Sequence, residues 1–286
     1  MEYYMDLSIP VSILIPVYNE GEHIEMLLKS CVAQNVREIF IGDNCSTDAT
    51  ESICRKYAEK YSCIKYIRHS ENKGPSFNYW HLLKNSSCSY VAVTGGHDFY
   101  ISKDHFKKLY TLCKANPDAS GAYSSAKYFG GDNNVTGGYD YYYAQYLESD
   151  DSFERIKGLM GNLTDGTILY GVYKKQNILG IGEATNYGGV TDLLWLGYHL
   201  LDGKLLYASD IAFGRRMFER TAAQKYDWYN EVYGTDDFPG FWLKQAMILV
   251  KMLDVGPDKT QLLRIMAMRK YEEIRARYDS RYDSQE

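Results

Sequence analysis

Four times between residues 11 and 95, a short run rich in β-branched residues is followed by a polar turn and then an amphipathic stretch. The runs VSILIPV (11–17), EIFIGD (38–43), CIKYIRH (63–69) and SYVAVTG (89–95) predict strands, and the first is apolar enough to be buried on both faces. Helices are predicted between them. Residues 21–34 put Ile24, Leu27, Leu28, Cys31 and Val32 on one face, ATESICRKYAEKY follows the helix-start signal Ser46-Thr47-Asp48, and Ser76 to Lys84 forms the third. Strand alternating with helix requires right-handed crossovers, so the expected fold is α/β, with a mostly parallel central sheet flanked by helices.

Sheets of this kind bind ligands beyond the carboxyl ends of their strands. Here those ends read PVYNE (16–20), GDNCSTD (42–48), HSENKG (69–74) and TGGHD (94–98), and all four are polar, Gly-rich or acidic. From 117 to 150 the pattern loosens into a Gly-, Asn- and Tyr-rich stretch, GGDNNVTGGYDYYYAQY, expected as a long loop of functional character. TILYGVY (167–173) and KLLYASDIAF (204–213) predict further strands, with a helix from Gly189 to Leu201 between them. After 216 the chain turns helical over 240–254 and 259–278, separated at Pro257 and capped by Asp258. The expected division is an α/β domain over 1–215 and a helical extension over 216–286.

Composition narrows the function. With 45% hydrophobic and 24% charged residues, the 286-residue chain has a globular profile and length enough for a sizeable core. A net charge of -5 argues against a nucleic-acid partner. The six cysteines, at 31, 45, 54, 63, 88 and 113, contain no C-x-x-C pair, so neither a zinc site nor a disulfide framework is indicated, and free thiols in a reducing compartment are expected. MEYYMDLSIP has no basic stretch leading into an apolar run, and the longest uncharged apolar run, Leu193 to Leu201, is too short to cross a bilayer. A cytoplasmic protein, soluble or peripheral to a membrane, is expected. Tyrosine is unusually frequent, 28 of 286 residues, which suits surfaces that meet polar ligands such as sugars and equally suits biased codon usage.

The strings SILIPVYNE, IGDNCSTDAT and ENKGPSFN, in that order and spacing, resemble the family 2 glycosyltransferases. That resemblance covers residues 9 to 110 well and 160 to 212 loosely. It implies a GT-A fold that holds a nucleotide sugar and an inverting transfer of one sugar to a glycan or lipid-linked acceptor, of the kind found in surface-polysaccharide pathways. Carried onto this sequence, it places the nucleoside along Pro16, Val17, Tyr18 and Glu20, sets the imide N–H of a uracil on Asp43, and brings Lys73 near the diphosphate. Glu20 has a structural alternative as a helix-start acid, Lys73 as a solvated surface charge, and Asp48 as a helix cap.

The fourth strand departs from the family. Where an Asp-x-Asp pair normally binds a divalent cation, this chain has Gly95, Gly96, His97 and Asp98. Two readings follow: His97 and Asp98 form a modified site for Mn²⁺ or Mg²⁺, or the diphosphate is stabilised without metal. The glycine pair would also let a diphosphate approach the backbone. In the family's Glu-Asp pair at a helix start, Thr191 replaces the Glu and Asp192 matches the Asp, so Asp192 is the expected base, with Glu183 as fallback. Arg215 and Arg216 are candidates for phosphate contact. Trp228 is a candidate for stacking on sugars, whereas Trp195 and Trp242 have core spacing.

The tail over 259–277 carries six Lys or Arg against two Glu beside an apolar stripe. It can rest on an anionic membrane, pack on the domain, or join a homodimer. Two other functions were weighed. A nucleotidyltransferase would need a basic loop after the first strand, and PVYNEGEH has no Lys or Arg. A degenerate relative serving as a glycan-binding or scaffold subunit is the non-enzymatic alternative.

Overall fold

The computed structural model describes residues 8–131, 133–139, 144–163, 166–185, 188–218 and 220–280. Residues 1–7, on which the expectation about a leader falls, and the Tyr141–Tyr143 run of the expected loop lie outside them. Its elements, in chain order, begin with β1 (Ile9–Val17), α1 (Ile24–Val32), β2 (Val36–Asp43), α2 (Thr50–Lys60), β3 (Ile64–Arg68), α3 (Gly74–Asn85) and β4 (Tyr90–Val93). There follow β5 (Phe99–Tyr100), α4 (His105–Ala115), β6 (Ala119–Phe129), β7 (Val135–Tyr139), α5 (Ala144–Leu147), α6 (Ser152–Asn162), β8 (Val172–Lys174) and α7 (Lys175–Ala184). The chain continues through α8 (Asp192–Asp202), β9 (Lys204–Arg216), α9 (Ala222–Tyr233), α10 (Phe238–Met252) and α11 (Pro257–Asp279).

The nine strands form one sheet in the order β3-β2-β1-β4-β8-β6-β9-β5, with β7 on β6. The first four are parallel, as the alternation predicts, and β6 and β9 are also parallel. β8 joins these two parallel groups by antiparallel pairing to β4 and β6. β1 is buried on both faces. Val11, Ile13 and Ile15 pack into one apolar core with α1 and α4, while Leu14 faces the other core, shared with α3 and α8.

Two expectations are corrected. Residues 119–129 are not part of a long loop but an eleven-residue strand, the longest contact of β9. Its sequence, ASGAYSSAKYF, is small and polar because Gly121 lies against Tyr173, where a Cβ would collide with the ring. The expected strand at 167–173 is a 3-10 turn at Gly166–Leu169 followed by the short β8.

α9, α10 and α11 do not form a core of their own. Trp242, Leu249, Leu263 and Tyr278 share one apolar cluster with Leu159 of α6 and Trp195 and Leu196 of α8. α11 thus packs on the domain through Leu263, Ala267 and Tyr278, while Leu262, Ile265 and Met268 remain exposed. Among the described residues no helix is long and apolar enough to cross a membrane. The six cysteines are unpaired, and burial pushes the Cys54 and Cys113 thiols up to about 12.

At the amino ends of the strands Glu38, 6% exposed, accepts hydrogen bonds from Ser12 Oγ (2.7 Å), Ser87 N–H (2.9 Å) and Ser87 Oγ (2.8 Å), and pairs with Lys65 Nζ (3.0 Å). Burial opposes its charge, but these donors outweigh burial and hold the carboxyl at about 2. A depressed pKa stabilises the fold above the unfolded value near 4.3, and that stability is lost as the pH falls toward 2. Glu38→Ala strands the buried Ser12 hydroxyl and should lower unfolding free energy by about 1–3 kcal/mol, read as a shift in denaturation midpoint. An unchanged midpoint would show that the cluster contributes nothing.

Candidate active site

Because β3, β2, β1 and β4 are adjacent and parallel, their carboxyl ends deliver four loops to one edge of the sheet. Hydrogen bonds knit those loops together. Asn19 N–H donates to Ser46 Oγ (2.9 Å), Thr47 N–H to Asn19 Oδ1 (2.9 Å), Glu20 N–H to Thr50 Oγ1 (2.8 Å) and Gly21 N–H to Asp48 Oδ2 (2.8 Å). Asp48 also accepts from the Thr50 N–H and hydroxyl, so it serves the start of α2. The third loop joins through Asn44, whose amide donates to Asn72 Oδ1 (2.5 Å) and accepts from Lys73 N–H (3.0 Å). Asn19 and Cys45 both adopt left-handed backbone here, at φ 54° and 67°, a strain that concentrates where loops are held by function or by neighbours.

Asp43 lies beneath this lattice. It is fully buried, with Oδ1 accepting from Ser46 N–H (2.8 Å) and Oδ2 from the Tyr66 hydroxyl (2.6 Å). In this conformation it shapes the 43–48 turn and offers no exposed oxygen to a base. Tyr18, by contrast, is 47% exposed on the rim. Pro16 lies within β1 opposite Gly42. Lys73 stands at the margin, its Nζ 3.7 Å from Glu71 and 5.0 Å from the Phe77 ring centroid.

The fourth loop meets the first through Glu20. His97 Nδ1–H donates to Glu20 Oε1 (2.9 Å), and His97 Nε2 is 4.0 Å from Asp98 Oδ1. Asp98 is buried; Oδ1 accepts Arg216 N–H (2.9 Å), while Oδ2 is buried with no hydrogen-bond partner. Burial pushes the Asp98 carboxyl up to about 6, against the opposing fields of His97 and Arg215. Burial works against charge on His97, yet the Glu20 hydrogen bond and the Asp98 field outweigh it and raise the imidazole above its ordinary value. The glycines also have a packing reason of their own. A Cβ on Gly95 would lie 3.0 Å from Asp98 Oδ2, and one on Gly96 2.6 Å from Glu20 Cγ, so the protein's own acids fill that space. Arg216 is buried, and its guanidinium donates to the His97 and Gly130 carbonyls (both 3.3 Å), which makes it the brace of the 97–98 turn.

A divalent cation fits this cluster only as a shared ligand. Among the described residues no group of three His, Cys, Asp or Glu is placed to hold a metal alone. The orphaned Asp98 Oδ2, beside a His97 oriented by a carboxylate, is the oxygen that a cation would meet if a diphosphate and water supplied its remaining ligands.

Arg215 links this cluster to a second wall. Its guanidinium donates to Thr167 Oγ1, lies 6.0 Å from the Tyr170 ring centroid, and exerts its field on both His97 and Asp98. Next to Thr167 is Gly166, where a Cβ would collide with Asp192 Oδ2. Asp192 is the first residue of α8, capped by Thr191, which Gln245 of α10 holds through the Thr191 N–H (2.7 Å) and hydroxyl (2.9 Å). Thr191 is therefore a buried cap. Glu183 is exposed on α7. Trp195 and Trp242 are buried, as their spacing predicts, and Trp228 is exposed. Three roles escaped the sequence: the Glu20–His97 bond, the bracing by Arg216, and Gln245. Partners 77 and 54 residues apart leave no local pattern.

An α/β sheet with acidic, Gly-rich strand ends on one edge and a carboxylate across from them is the architecture of the nucleotide-sugar transferases. The family model described as Glycosyl transferase family 2 matches residues 12–178, and the chain belongs to that family. Among curated relatives, the abequosyltransferase RfbV of Salmonella typhimurium is 34% identical over 113 residues, 38% of this chain and 34% of the relative. The cholesterol galactosyltransferase of Borreliella burgdorferi is 32% identical over 108 residues, 37% and 30% respectively. The aligned part thus spans about a third of each relative. Among solved structures, S. aureus TarS 1–349 in complex with UDP-GlcNAc superposes at a TM-score of 0.66 with 16% identity, covering 92% of this chain and 72% of that one. The mannosyltransferase PcManGT from Pyrobaculum calidifontis, in complex with GDP-Man and Mn²⁺, gives 0.55 at 14% identity over 97% and 88%. These likenesses establish the GT-A fold.

The Glu20–His97 bond is directly measurable. Glu20→Gln removes the charge that raises the imidazole, so the His97 pKa followed by NMR titration should fall. A His97 titration unmoved by the substitution would refute the pairing.

Proposed function

We propose that the chain is an inverting glycosyltransferase that moves one sugar from a uridine diphosphate sugar to a glycan or lipid-linked acceptor. The observation that carries this reading is Arg215, which donates to Thr167, next to the Gly166 that abuts Asp192, and exerts its field on His97 and Asp98, and so links two chemically distinct groups of side chains. Uracil is favoured by the TarS complex with UDP-GlcNAc. With Asp43 buried, the exposed Tyr18 is the rim residue against which the nucleoside would lie.

On one side, Asp98 and His97 would hold a divalent cation together with the diphosphate, which when bound neutralises the charge developing on the leaving group. Glu20 keeps the His97 ring in one orientation, and Arg215 adds a positive field. On the other side, Asp192 would take the proton of the acceptor hydroxyl as its oxygen bonds to the anomeric carbon. The bond from that carbon to the diphosphate oxygen breaks at the same time, the electron pair leaves with UDP, and the configuration inverts. Residues 216–286 serve as a helical extension of the catalytic unit at 1–215. The outer stripe of α11, Leu262, Ile265 and Met268 beside Arg264 and Arg269, suits an anionic membrane carrying a lipid-linked acceptor.

Asp192→Asn should abolish transfer, with a loss of about 10²–10⁴-fold, while UDP affinity stays near wild type. Gly166→Ala, which displaces the same carboxylate without removing it, should cause a smaller loss of the same kind. Equal loss of UDP binding in both variants, or full activity in Asp192→Asn, would remove Asp192 from the base role.

A further inference from the structure

Past the end of β9 the chain runs through Phe218 and Arg220 into α9. The Phe218 ring, 41% exposed, meets His97 edge-on with centroids 4.9 Å apart. The Arg220 guanidinium lies 5.6 Å from the Phe218 centroid and 5.2 Å from that of Trp228. His97, Phe218, Arg220 and Trp228 therefore form a continuous row from the acidic cluster to the outer face of α9. There Arg220, Gln224, Asp227, Trp228 and Glu231 line an open cavity of about 500 Å³.

The chemistry of this cavity is specific. Trp228 is 41% exposed, whereas Trp80, Trp195 and Trp242 are each at most 8% exposed, so one indole alone is held at the surface. Among the described residues Asp227 and Glu231 form no ion pair, and the Arg220 guanidinium meets aromatic faces rather than a carboxylate. Gln224 commits its Oε1 to the Thr221 N–H in the helix cap, which leaves its amide N–H groups as donors. A flat apolar face ringed by two carboxylate acceptors and by guanidinium and amide donors matches a pyranose. The sugar's C–H face stacks on the ring, while its hydroxyls both donate and accept. A second phosphate group is disfavoured by the two carboxylates.

We propose that this α9 cavity is a saccharide subsite for the acceptor, with Trp228 as its stacking platform. The assignment rests on the transferase reading and goes beyond it by stating where a sugar of the acceptor sits. The row through Phe218 connects that subsite to the acidic cluster, so a sugar held there is a more distant unit of the acceptor than the one whose hydroxyl faces Asp192.

The test is a titration of the intact chain with maltotriose, chitotriose, lactose and methyl rhamnoside. It is followed by indole emission and by calorimetry, with UDP titrated on the same samples. At least one probe should bind saturably in the millimolar range and shift the emission of the exposed indole. Trp228→Ala should weaken that binding by about tenfold or more, and Trp228→Tyr, which keeps an aromatic face, should restore most of it. UDP affinity should stay unchanged in both variants, which also reports that they are folded. UDP binding with no saccharide response, or saccharide binding unaltered by Trp228→Ala, overturns the subsite. Saccharide binding on Trp228 in a chain that fails to bind UDP leaves the subsite standing and removes the transferase reading instead.

Discussion

Glu20 is where the separate loops of the site become one object. Its backbone N–H is tied to Thr50 at the start of α2, and its carboxylate accepts the Nδ1–H of His97 from the loop after β4. Side chain and main chain of one residue thus connect the ends of β1, β2 and β4, which the parallel register of the sheet has already brought to a common edge. The contact is charge-assisted and partly shielded from water, conditions under which a hydrogen bond is about twice as strong as a neutral one. It fixes which imidazole nitrogen is left for a ligand, and it keeps that nitrogen beside Asp98. Gly96 is required for the same reason, since a side chain there would push Glu20 away.

The far half of the sheet supplies what the first half lacks. β6 and β9 run parallel, and the end of β9 carries Arg215 and Arg216 to the 97–98 turn from the other side. The two arginines divide the work. Arg216 is buried and spent on backbone carbonyls, so it maintains the shape of the turn, whereas Arg215 reaches Thr167 and the Tyr170 ring. A sheet built as two parallel groups joined through antiparallel β8 thereby brings the Glu20–His97–Asp98 cluster and Arg215 together at one end.

Much of the first hundred residues was legible, because strands buried on both faces carry uninterrupted apolar runs and the turns after them stand out as polar. The places of Asp98 and Asp192, just past a strand end and at a helix start, were legible from position alone, and their roles are those proposed above. The failures have physical causes. β6 reads as irregular because it is buried on both faces over 119–126 while close packing against Tyr173 selects Gly, Ala and Ser, so no apolar run marks it. Asp43 was expected to meet a base, and what the sequence hid is its burial beneath a Tyr66 hydroxyl that comes from another strand. Gly95 and Gly96 were expected for a ligand's approach, and the sequence did not show that Asp98 and Glu20 also leave no room for a side chain there.

The account turns on a nucleotide diphosphate held at the strand ends with the help of a cation on Asp98. Calorimetric titration with UDP, run with and without Mn²⁺ on the wild type and on Asp98→Asn, tests it most directly. The account predicts that UDP binds, that Mn²⁺ tightens the binding, and that Asp98→Asn removes the tightening. Absence of UDP binding in either condition, or an affinity indifferent to Mn²⁺, would contradict it.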